Sequence, residues 1–125
     1  MLRPLFFLAG LIWASGVAAQ TAPSASDIAT YTGLHLAAHE GDISTVNRLL
    51  AAGADPDARD RALRTPAHVA AFASHDEVVA ALAAGGADMN ALENRVYDVL
   101  TIAAVANDQE LVKFCLLYTS DAADE

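Results

Sequence analysis

From Thr32 onward, apolar and small residues gather into helix-length stretches separated by polar turns, and the blocks so formed return in register. Thr32-Gly33-Leu34-His35-Leu36-Ala37-Ala38 is matched 33 positions later by Thr65-Pro66-Ala67-His68-Val69-Ala70-Ala71, and a third block opens with Asp98-Val99-Leu100-Thr101-Ile102-Ala103-Ala104. Each opening predicts a short first helix. Thr65 is suited to cap its helix through the hydroxyl, and Pro66 to stand at the first helical position, where its missing N–H costs nothing. Gly33 lacks that preset φ, so the first block is expected to be looser there. The paired alanines combine high helix propensity with little volume and let neighbouring first helices approach closely. Turns follow at Gly41-Asp42, Ser74-His75-Asp76 and Asn107-Asp108. Val46, Leu49 and Leu50, or Val79 and Leu82, then form the i, i+3, i+4 stripe of a second helix. Gly53 and Gly86 are placed to end that helix as left-handed caps.

A gapless period of this length marks an array of supersecondary units. The pattern resembles the ankyrin repeat, with TGLHLAA, EGD and VNRLL in one copy and TPAHVAA, EVVAAL and GGADMNA in the next. The resemblance implies an all-α solenoid of helix-turn-helix units, each with a β-hairpin finger. The repeats would span 32–64, 65–97 and a partial 98–114, with fingers at 54–64 and 87–97. The family usually carries glycine two residues before the threonine; here Leu63 and Val96 stand in its place. A side chain tolerates positive φ badly, a β-branched one most of all, so differently shaped fingertips are expected. A third repeat that stops early predicts an exposed apolar face near Leu111 and Val112 and marginal stability.

The ends of the chain change the picture of its composition. Arg3 followed by the apolar run Leu5 to Ala14 and the small residues Val17-Ala18-Ala19 reads as a secretory signal peptide at 1–19. It is too short and too interrupted to span a bilayer. The mature protein is therefore expected in the periplasm or outside the cell, without stable membrane insertion, and residues 20–31 are expected as a linker. Residues 115–125, Cys-Leu-Leu-Tyr-Thr-Ser-Asp-Ala-Ala-Asp-Glu, resemble a translated sequencing adapter and are expected to be foreign to the repeats. They hold the chain's one cysteine, so 20–114 offers no thiolate chemistry. The full chain carries a formal charge of −9, and Gln20 to Phe114 holds thirteen acidic and six basic residues. So acidic a domain is a poor binder of nucleic acid.

No nucleophile elbow, metal-protease helix or phosphate loop is present, so catalytic, cofactor and metal residues are expected to be absent and the protein is expected not to be an enzyme. His35 and His39 have a spacing that places two imidazoles on one helical face. The resemblance instead gives His35 and His68 a structural role, bonding loop backbone between repeats, and leaves His39 and His75 as surface residues. It places partner contacts at the variable positions: His39 and Glu40 in the first repeat, Arg59, Arg61, Arg64 and Phe72 around the second, and Leu92, Asn94, Arg95 and Tyr97 around the third. Three arginines on one finger form a basic patch suited to carboxylates of an acidic-faced protein partner. Their alternative is internal pairing with Asp57 and Asp60. The expected function is non-enzymatic protein binding by an exported binder or scaffold, or by an accessory module of a longer exported enzyme or toxin.

Overall fold

A computed structural model describes residues 22–124, and among them every regular element is a helix. The signal-peptide expectation at 1–19 lies outside the described residues. The elements are α1 (Ala25–Ala29), α2 (Gly33–Glu40), α3 (Ile43–Ala51), α4 (Pro66–Phe72), α5 (Asp76–Ala84), α6 (Val99–Val105) and α7 (Gln109–Asp124). First helices α2, α4 and α6 stack on one another, and second helices α3, α5 and α7 stack in a layer behind them. Ala37, Ala38, Ala70, Ala71 and Ala103 are all buried where the first helices meet. Ala104 is exposed, because no further first helix among the described residues covers it. Val46, Val79 and Leu82 fill the space between the layers without exposure.

The repeat period is written into the backbone as well. Gly41, Ser74 and Asn107 take φ of 72°, 58° and 58° in the turn between helices, and Gly53 and Gly86 take 92° and 98° just after the second helix. Thr65 and His68 form a reciprocal capping box at α4, with Pro66 in the first turn. Thr32 makes no side-chain cap at α2, and Gly33 sits at φ 54°, so that opening is the looser one.

Three expectations need correction. The segment expected as a linker contains α1, whose Ser24 and Asp27 close a capping box: the Asp27 amide donates to Ser24 Oγ at 3.1 Å and the Ser24 amide to Asp27 Oδ2 at 2.9 Å. Leu111 is buried and Val112 half-buried, because α7 turns that face inward and buries Cys115 as well. In the third repeat the large apolar side chains left outside are Val105, Leu116, Leu117 and Tyr118. Finally, the fingers contain no strand among the described residues.

Each finger is instead a series of turns whose tip is closed by two backbone bonds, Asp60 N–H to Arg64 O at 2.9 Å with Leu63 N–H to Asp60 O at 3.0 Å, and Glu93 N–H to Tyr97 O at 3.0 Å with Val96 N–H to Glu93 O at 2.9 Å. A carboxylate takes the amides that a ladder would have used. Asp60 Oδ1 accepts from Ala62 and Arg64 at 2.8 Å each, and Glu93 Oε1 accepts from Arg95 at 2.6 Å and Tyr97 at 3.2 Å. This clamp explains why Leu63 and Val96 keep the left-handed turn, at φ 63° and 66°, rather than reshaping it. A β-branched residue held there stores strain. Val96→Gly is expected to raise stability by about 1 kcal/mol in urea denaturation, since the exposed valine side chain contributes little packing.

Candidate partner-binding surface

The sequence-designated residues separate into a fingertip group and a helix-side group. On the helix side, His39 and Phe72 are half-buried and line a cleft of about 90 Å³ with Val69, Ala73 and the incoming Ala22-Pro23. Glu40 is exposed beside them. His75 is half-buried rather than fully on the surface: its Nε2 lies 3.1 Å from the His39 carbonyl and ties the first two repeats together, while the His39 ring stays at the cleft. His35 Nε2 lies 2.9 Å from Arg64 O, and its ring packs 5.3 Å from that of Tyr31. His68 is fully buried, with Nε2 2.8 Å from Ala91 O, and burial pushes its pKa below the ordinary value. Each of these two imidazoles therefore bonds loop backbone, as the repeat pattern implies. Among the described residues, no three His, Cys, Asp or Glu side chains come together in a way that could hold a metal ion.

At the fingers the three arginines meet three different fates. Arg64 is buried, its Nη1 3.1 Å from Asp60 Oδ2 and 3.4 Å from Asp27 Oδ2, which removes it from any contact surface. Arg61 keeps 58% of its side chain exposed while Nε bonds Asp27 Oδ1 at 2.7 Å. Arg59 is exposed and its Nη1 donates to both Leu63 O and Leu92 O, at 2.7 and 2.8 Å. It thus fastens one finger to the next, beside the bonds Asn94 N–H to Ala62 O and Asp88 N–H to Asp57 Oδ1. The internal acids are Asp27 and Asp60 rather than Asp57 and Asp60. The Ser24 amide, followed by Arg61 and Arg64, holds the Asp27 carboxyl well below the usual range. Burial alone would raise Asp60, but the Tyr31 hydroxyl at 2.7 Å, backbone amides and Arg64 outweigh it and lower it.

What remains on the finger surface is a mixed patch. Leu92, Asn94 and Arg95 are exposed, whereas Tyr97 is half-buried against the core. Sequence reasoning missed Leu63 and Val96, which stand 49% and 68% exposed beside Leu92 at 46%. Their signal was the departure from glycine, read only as a conformational oddity. Missed too were Asp60 and Glu93 as organisers of the turns; their shared place in the 33-residue period was the available clue. Next to the first finger, Thr30, Tyr31, Thr32, His35, Arg59, Asp60 and Arg61 line an open cleft of about 340 Å³. Rigid turns that carry exposed apolar and guanidinium groups can meet another protein without a large ordering cost.

No helix among the described residues is long and apolar enough to cross a membrane. Comparison with curated proteins finds no match to this chain. The family model for ankyrin repeats, in three copies, matches residues 34–124. That span takes in the stacked helix pairs, both fingers and the histidines that bond them, so the chain belongs to the ankyrin-repeat family, whose repeats are protein–protein interaction modules.

Proposed function

We propose that this chain is an exported binder of an acidic-faced protein, contacted through the fingertips Leu63, Leu92 and Val96 with Arg59, Arg61 and Arg95, and through the helix-side residues His39, Glu40 and Phe72. The observation that carries this reading is the exposure of three apolar side chains on turns that Asp60 and Glu93 hold rigid. Apolar groups so held are costly to leave in water, and they lose little freedom on contact. Arg61 supports the acidic partner, since more than half of its side chain faces solvent while its Nε rests on Asp27. Nη2 donates to Ser26 Oγ at 3.1 Å, so a partner carboxylate has the Nη1 side of the guanidinium to meet.

The test is affinity capture from the exported fraction of the source cells with the purified mature protein, followed by titration of the captured partner. A Leu92→Asp/Val96→Asp double variant is expected to bind at least about tenfold more weakly, as for the loss of one interface hot spot. Unchanged affinity would remove the fingertips from the interface. Export itself is read from residues 1–19 of the sequence, and an intact mass starting at Gln20 is the expected mature form.

A further inference from the structure

We propose that Asp76 and Asp108 share a proton across the junction between the second and third repeats, clamping the third repeat onto the second in acid and loosening it toward neutral pH. Asp76 begins α5 and Asp108 caps α7, two second helices packed against each other. Asp108 Oδ1 already accepts the Leu111 amide at 3.1 Å. Asp76 Oδ1 is buried and meets no hydrogen-bond donor. The neighbouring group within hydrogen-bonding reach is the Asp108 carboxyl. Two carboxylates cannot bond each other unless one carries a proton, so a single proton converts a repulsion at the junction into a bond between repeats.

The surroundings supply no cation to replace that proton. On its own side, Asp76 is followed by Glu77 and preceded by His75, whose Nε2 is directed to the His39 carbonyl. From α7 come the charge of Glu110 and the buried thiol of Cys115; Lys113 is 70% exposed and lies 3.7 Å from Glu110. The thiol is itself pushed up to about 11, by burial first and then by Asp98, Asp76 and Asp108, so it stays neutral and adds no charge. The Asp98 carboxyl, capping α6, is engaged with the Thr101 amide. Packed against α5 from the other side, α3 carries Arg48, whose charge acts on Asp42, and α4 carries His68, whose charged form burial disfavours. Burial, the Asp108 hydrogen bond and the charges of Asp108 and Glu110 together push Asp76 up to about 6.

The sign follows from linkage. An acid whose folded pKa lies above its unfolded one binds more protons when folded, so stability is retained in acid and falls as the pH rises from about 4 toward 6. Between pH 5 and pH 7 the opening equilibrium of the third repeat is expected to increase about tenfold. His68 has the opposite sign, because burial favours its neutral form. A gain of protection in acid confined to the third repeat therefore cannot come from that residue.

Hydrogen exchange of the full chain, corrected for intrinsic rates, tests this between pH 5 and pH 7. Peptides covering 99–118 are expected to lose protection about tenfold as the pH rises, while those covering 33–51 show no such loss. Asp76→Asn supplies a permanent N–H donor and is expected to hold 99–118 at its acid level throughout. Asp108→Asn is the second variant, since its side-chain oxygen still caps Leu111 while its amide serves Asp76. A parental pH slope in whichever variant folds, or no slope in the parent, overturns the proposal.

Discussion

Replacing Arg64 with alanine is expected to lower the stability of this protein by about 3–5 kcal/mol, the usual cost of breaking a buried ion pair from one side. The Arg64 side chain is 9% exposed and that of Asp60 7%, with 3.1 Å between them. Without the guanidinium, Asp60 keeps the Tyr31 hydroxyl and two backbone amides but must carry its charge unpaired. The Arg64 Nε is buried without a partner, which reduces the net worth of the pair. It does not reduce the cost of breaking the pair, because that cost resides in the stranded carboxylate. Arg64 Nη1 also reaches Asp27, so its loss loosens α1 from the first finger. A short array has only a few kcal/mol to lose. Urea denaturation followed by far-UV circular dichroism measures the effect; a loss under about 1 kcal/mol would mean that water reaches Asp60 freely.

His68→Ala is expected to cost about 3 kcal/mol, through a cavity and three disrupted polar contacts. His68 Nδ1 accepts from the Thr65 amide at 2.9 Å and lies as close to the Thr65 hydroxyl, while Nε2 faces Ala91 O at 2.8 Å. One ring therefore completes the α4 cap and anchors the second finger. The same ring predicts an acid limb. Its folded pKa is lowered from 6.5 by burial, so the unfolded chain takes up a proton that the folded one resists. Stability from this group is complete above about pH 6.5 and declines below it. Comparing the parent and His68→Ala at about pH 7 and pH 5 should show a smaller difference in acid. An equal difference at both values would show that the imidazole is solvated in the fold.

The arginine prediction also marks where the sequence could be read and where it could not. Thr65, Pro66, the alanine pairs and the two cap glycines act locally, or at a fixed offset within the repeat, so their roles follow from spacing alone, whereas the structural role of His35 and His68 follows from the family resemblance. Arg64 stands at a variable position of the repeat pattern and was grouped with the contact residues. Its burial depends on Tyr31 and Asp27, which precede the first repeat and lie far from it in the chain. Helix α1 was hidden because its apolar content is small, although the Ser24-x-x-Asp27 capping signature was present. The fingers were expected as hairpins because the family has them. Here Asp60 and Glu93 take up the amides that a strand pair would have shared.

By itself the sequence determined the period, the helix pairs and the left-handed positions after the second helices. All of these arise from short-range preferences repeated in register, and a repeated local rule survives without knowledge of the whole. Only the tertiary structure decided which charges face solvent and which are consumed internally. It buried Arg64, left Arg61 and Arg59 at the surface, exposed Leu63 and Val96, and brought Asp76 against Asp108. Those outcomes depend on which repeat lies against which, and side chains distant along the chain acquire a common environment only once the helices have stacked.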